Sequence, residues 1–226
     1  QVPFLVRDEI CEIFGLERDR VRVFTARVGG GFGGKQELLT EDIVALAVLR
    51  TGAPVQFEFS RTDEFTVAPC RHPFEVDVRV SARSDGTLTA LSVDVVTDAG
   101  AYGNHSPGVM FHGCGESVAV YRCANKRVDA KSVYTNNIPS GAFRGYGLGQ
   151  VIFAVESALD DLARELGMDR AEVRRRNLIS GDAIPYRMPM KTREGTPMIY
   201  ESGDFLRCHE MALEAAGYTD FSQRQK

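Results

Sequence analysis

The chain has 226 residues, of which 43% are hydrophobic and 26% charged, with a formal net charge of −4. This is a globular composition, large enough for a sizeable core. It argues against a nucleic-acid partner, because Lys and Arg cluster only at Arg174-Arg175-Arg176, and against a membrane span, because no apolar run approaches the ~20 residues that cross a bilayer.

The chain opens at Gln1, without methionine and directly on a helix-like stretch, as expected for an internal piece of a longer protein. Pro3 suits a first helical turn, Phe4, Leu5, Ile10, Ile13 and Phe14 follow at helical spacing, and Gly15 ends the run. Val21, Val23 and Thr25 alternate with Arg20, Arg22 and Phe24, which predicts a strand leading into the glycine-rich stretch VGGGFGGKQE, Val28 to Glu37. Leu38, Leu39, Ile43, Leu46 and Leu49 predict a helix closed by Gly52 and Pro54, with Glu37, Glu41 and Asp42 favouring the dipole at its start. PVQFEFS reads as a strand. Phe74, Val76, Val78 and Val80 share one face of a second strand, and Asp85-Gly86 is the turn to its return partner.

A loop, DAGAYGNHSPG, and the strand KRVDAKSVYT follow. A second glycine-rich stretch, PSGAFRGYGLGQ, then feeds the helix VIFAVESALDDLARELG. Asp169 caps a further helix, DRAEVRRRNLI. The segment GDAIPYRMPMKTREGTP is broken by Pro and Gly and reads as loop, and GDFLRCHEMALEAAG as a last helix. Helices and hairpins mix without a βαβ rhythm. The expected class is α+β, two-layered, with a mixed and mainly antiparallel sheet packed by helices. A subdivision near 135–150 would separate an N-terminal α+β part from a C-terminal helical part. Five scattered cysteines without a C-x-x-C pair encode no zinc or iron–sulfur cage and suit a reducing cytoplasm.

Five glycines around Phe32 need a reason, because each costs roughly 0.5–1 kcal/mol against alanine in regular structure. Gly29-x-Gly31-x-x-Gly34 formally matches a dinucleotide fingerprint, but the run before it alternates polar with apolar. Gly29-x-x-x-x-Gly34-Lys35 nearly matches a phosphate-binding loop, yet Gln36 stands where Ser or Thr would hold Mg²⁺. Gly141, Gly145, Gly147 and Gly149 surround Phe143, Arg144 and Tyr146 in the second stretch. Two such loops, each with an aromatic and a cation and each leading to a helix, suggest two halves of one clamp around an anionic or oxo-bearing ligand. A stand-alone small-molecule or nucleotide-binding module is the alternative to an enzyme part.

GGGFGGK, RHPF, DAGAY and TNNIPSGAFRGYG, followed by ESALDDLARELGMDRAEVRRRNL, occur here in an order that resembles the molybdenum-binding large subunit of the xanthine dehydrogenase and aldehyde oxidase family. The resemblance covers nearly the whole chain, making residues 1–226 a molybdopterin-binding region of a larger subunit. It implies a molybdenum–pyranopterin cofactor and hydroxylation of a purine, another N-heterocycle or an aldehyde. Electrons would leave through [2Fe–2S] centres and flavin (FAD) on other domains or subunits, and the remaining large-subunit domains would be partners. It places Gly31, Phe32, Gly33, Ala142, Phe143 and Arg144 at the cofactor, and Gln36, His112 and Tyr146 at the substrate. It places no metal ligand and no catalytic residue within this stretch, since the family's general base lies nearer the subunit's C-terminus. The isolated piece is therefore expected to be inactive. Gln36 stands where purine-hydroxylating members carry Glu, and His112 where they carry Arg, which weakens xanthine as the substrate.

Overall fold

The computed structural model describes residues 1–192 and 194–224. In chain order the elements are α1 (Pro3–Phe14), α2 (Glu41–Thr51), α3 (Arg61–Thr66), β1 (Phe74–Ala82), β2 (Leu88–Gly100), α4 (Ser106–Glu116), β3 (Asn125–Tyr134), α5 (Leu148–Glu165), α6 (Arg170–Asn177), β4 (Tyr186–Lys191), β5 (Pro197–Tyr200) and α7 (Phe205–Ala215). One sheet has the order β1-β2-β3, and β4 pairs antiparallel with β5. The class is α+β. Among the described residues no helix is long and apolar enough to cross a membrane.

The chain divides into two compact units. The first comprises Gln1–Phe74, Val96–Met110 and Lys131–Gly147, and the second Glu75–Val95, Phe111–Ala130 and Leu148–Lys226. β2, β3 and α4 each run from one unit into the other.

In the first unit α1 starts with Pro3 in its first turn and stops at Gly15, which takes the left-handed conformation (φ 63°). Its buried face is Val6, Ile10 and Cys11, and it packs on α2. Ser60 and Asp63 form a reciprocal capping box at the start of α3. Two predicted strands are absent here. Residues 21–25 and 54–60 form no strand among the described residues. Their β-branched and aromatic side chains suit a pleated surface, yet a strand also needs a neighbour to accept its hydrogen bonds.

In the second unit the Asp85-Gly86 turn closes as its sequence predicts: Gly86 has φ 86° and the Thr87 N–H donates to Asp85 Oδ1 at 2.9 Å. Leu88, Leu91, Val93 and Val95 of β2 are buried, as are Val151, Val155, Leu159 and Ala163 of α5, spaced at four residues on one stripe. Asp169 caps α6 by accepting from the Ala171 and Glu172 N–H groups. Buried Asn177, at the end of α6, accepts from the Leu88 N–H and donates to the Gly86 and Val173 carbonyls, which ties the hairpin to the helix. The segment 181–197, predicted as loop, contains β4 and the first residue of β5, which pair as an antiparallel ribbon. Pro189 sits within β4, and the register shifts between Arg187 and Lys191, where such a residue is tolerated.

Candidate functional site

The first glycine loop lies in the first unit, as does the second up to Gly147. Val28–Glu37 does not lead directly into a helix, because α2 begins only at Glu41, and no strand precedes it. The strand–turn–helix context that a dinucleotide or phosphate-binding loop requires is therefore missing. The second loop does run straight into α5 at Leu148.

The loops touch through their backbones. Gly33 has φ 96°, and a Cβ there would lie 3.0 Å from the Phe143 N and Cα atoms. Glycine at 33 thus lets the two loops approach, rather than merely bending one of them. Phe32 and Tyr146 also take positive φ, 49° and 45°, where non-glycine residues are uncommon. Phe32 is 66% exposed. Among the described residues the N–H groups of Phe32 and Gly33 meet no protein acceptor.

The second loop is held along its entrance. The Ser140 N–H donates to the Ala99 carbonyl, the Gly141 N–H to the Cys70 carbonyl and the Cys70 N–H to the Pro139 carbonyl. Asp98 accepts from Asn137 Nδ2 (2.6 Å), Thr135 Oγ1 and the Gly100 N–H (both 2.7 Å), and the Asn137 bond above all holds its carboxyl below the usual range. Arg71 donates from Nη2 to the Arg144 carbonyl (2.7 Å) and lays its guanidinium 4.6 Å from the centre of the Phe143 ring. His72, 2% exposed, meets Ser106 Oγ through Nε2 at 2.6 Å, and burial pushes its pKa down.

Glu37 occupies the middle of this arrangement. It is 7% exposed, its Oε1 accepts the Ala142 N–H at 3.0 Å and its Oε2 accepts from His105 Nδ1 at 2.6 Å. It lies before α2, pointing inward, and not on the dipole of that helix as its sequence position suggests. The His105 ring packs edge-on to Tyr146, with centroids 6.3 Å apart at 71°. Burial, with the Glu37 charge behind it, raises the pKa of the Tyr146 hydroxyl. A side chain at Gly108 would run into that hydroxyl.

Comparison with known proteins fits this geometry. The molybdopterin cofactor-binding domain family matches residues 1–178. The chain belongs to that family. It is 39% identical over 179 residues to a probable hypoxanthine oxidase of Escherichia coli (strain K12), covering 79% of this chain and 19% of that protein. It is 39% identical over 206 residues to a xanthine dehydrogenase molybdenum-binding subunit of Escherichia coli O157:H7, covering 90% of this chain and 27% of that subunit. Its fold matches the crystal structure of quinoline 2-oxidoreductase from Pseudomonas putida 86 with a TM-score of 0.85 and 27% identity, over 99% of this chain and 28% of that one. The chain thus spans about a fifth to a quarter of the length of these relatives.

Of the residues expected at cofactor and substrate, this domain gathers Gly31, Phe32, Gly33, Gln36, Ala142, Phe143, Arg144 and Tyr146 into one unit. Phe143 and Arg144 are exposed, Ala142 is buried and Gln36 is half-buried. His112 belongs to the second unit, where its Nδ1 lies 2.6 Å from Glu116 Oε1, one turn along α4. Sequence reading gave no role at the loops to Glu37, Arg71, Asp98 or Ser106. The signal for Arg71 and Asp98 was their place in RHPF and DAGAY, and for Glu37 its place at the end of the glycine-rich stretch.

Proposed function

We propose that this domain is the part of a molybdenum hydroxylase large subunit that holds the molybdenum–pyranopterin cofactor and lines its substrate pocket. The observation that carries the reading is the Phe32–Gly33 backbone. Its N–H groups meet no protein acceptor among the described residues, next to a second loop whose backbone it touches at Gly33. Neutral backbone donors suit an oxo-bearing or anionic group, whose oxygens accept without any protein charge being buried against them. The nearest buried carboxylate, Glu37, is already engaged by Ala142 and His105, so it does not repel such a group as a bare acid would.

On this reading Gly31, Phe32 and Gly33 hold the cofactor from one side and Ala142, Phe143 and Arg144 from the other, while Gln36 and Tyr146 meet the substrate. Bound there, the cofactor supplies the two-electron oxidation that hydroxylates a carbon of a purine, another N-heterocycle or an aldehyde. The chain's own residues orient it: Arg71 and Glu37 fix the second loop, and Tyr146 offers an aromatic face worth ~0.5–1.5 kcal/mol beyond its buried area. Gln36 donates and accepts hydrogen bonds but carries no charge, which favours a substrate other than xanthine. Iron–sulfur and flavin domains or subunits would receive the electrons, and the free cysteines fit a cytoplasmic complex.

The test is purification of the full-length complex, with metal analysis and an oxidation screen over purines, N-heterocycles and aldehydes. Stoichiometric molybdenum and turnover of one of these classes are expected. A folded complex that takes up no molybdenum but binds a nucleotide would establish the alternative, a nucleotide-binding module.

A further inference from the structure

We propose that Glu37 is a positioning residue, whose buried carboxylate fixes the second glycine loop and, through His105, the Tyr146 ring. One oxygen holds the backbone of Ala142 and the other holds an imidazole against which Tyr146 packs. The reach is long, because Glu37 and Ala142 are 105 residues apart in the chain. The carboxylate also leaves no room for an alternative. A Cβ on Gly141 would lie 2.7 Å from Glu37 Oε1 and equally close to Pro69 Cβ, so glycine at 141 is what allows the acid to sit under the loop. Glu37 itself belongs to the first loop, which ends where Gln36 and Glu37 follow Lys35. A displacement of either loop would therefore be felt by the other, and the geometry presented to a ligand is set jointly by both. Directional bonds to a buried carboxylate are stronger than neutral ones and hold one geometry, which van der Waals contact alone does not.

The consequence for cofactor loading rests on the function proposed above, whereas the consequence for loop order does not. The two are separated by measuring amide hydrogen exchange on the full-length complex produced without molybdate, and molybdenum content on the complex produced with it. Glu37→Leu keeps the volume and removes both acceptors. Glu37→Gln keeps an acceptor for Ala142 and, through its amide, a donor for His105 Nδ1.

In Glu37→Leu, exchange at Ala142 should accelerate on the order of tenfold or more, as for a lost buried hydrogen bond. Ser140 and Gly141 donate to Ala99 and Cys70 and should stay protected. Molybdenum content should fall. Glu37→Gln should restore both readouts. His105→Ala, at a partly exposed residue, should loosen the Tyr146 segment alone, and it tests that branch of the proposal if Glu37→Leu does not fold. Unchanged exchange at Ala142 in a folded Glu37→Leu, or at Tyr146 in His105→Ala, overturns the proposal. A wild-type complex that never loads molybdenum overturns the functional reading, while the exchange data still judge the positioning role.

Discussion

Leu91, Val93, Val151, Val155, Leu159, Val173 and Ile179 fill the second unit, with Ser117 and Asn177 as its buried polar side chains. The first unit buries Val6, Ile10, Val109 and a few small residues, and beside them Glu37, His72, Thr97, Ser106 and Ser140. The difference follows from what each has to hold. Apolar contact is non-directional and secures a helix against a hairpin at whatever register packs best. A loop rich in glycine has few side chains to pack, so its position must come from hydrogen bonds that specify an angle as well as a distance. The unit with the weaker apolar core is the one that carries both glycine loops.

If that contrast is right, the largest loss of stability comes from the second unit. Leu159 is 1% exposed, and Leu159→Ala should cost about 2–5 kcal/mol through lost burial and the cavity it leaves. Thermal or denaturant unfolding of the full-length subunit checks this, and a loss under about 1 kcal/mol would mean the apolar core is not what holds that unit. Gly33→Ala should cost less, about 1–3 kcal/mol, because a non-glycine residue is strained at φ 96° and its Cβ would press on Phe143. The two variants should separate on molybdenum content. Gly33→Ala should lose molybdenum out of proportion to its stability, and Leu159→Ala should lose it only as it unfolds.

Asp169→Ala sharpens the comparison from the other side. It removes a cap from two N–H groups of α6 and a bond from the Tyr218 hydroxyl, and should cost about 1 kcal/mol without affecting the glycine loops. The smallest effect belongs to His72. Burial lowers its pKa from 6.5, so the folded chain binds a proton less readily than the unfolded one. Its contribution is fully present above pH 6.5 and is lost as the pH falls below that value through the folded pKa. Melting temperatures taken between pH 8 and pH 5 should decline in the wild type and decline less in His72→Gln. Asp98 does not intrude on that window, because its carboxyl is held below 3.8 and its share is lost only in stronger acid. Equal slopes in the two proteins would show that His72 does not titrate as a buried base.

Local chemistry made much of the fold legible. Pro3, Gly15, Asp85-Gly86 and Asp169 each act within a turn or two, and each stands where its spacing placed it. What depended on distant partners was not legible. The segments over 21–25 and 54–60 have strand-like side chains but no ladder. α4 was hidden by Pro107 and the glycines at 108, 113 and 115, although proline is at home in a first helical turn. The glycine loops could be found from their composition and order. The bonds that hold them could not, because Glu37 meets His105 and Ala142 only once the chain has folded.

The central claim is that the paired glycine loops hold a molybdenum cofactor. Its most direct test is the molybdenum content of the purified full-length complex, compared between wild type and Gly33→Val, with circular dichroism as the check on folding. A branched side chain at 33 forces the loops apart while leaving the apolar unit untouched. The expected result is stoichiometric molybdenum in the wild type and its loss from a folded Gly33→Val. Full molybdenum retention in that variant, or a folded wild type that takes up none, would contradict the account.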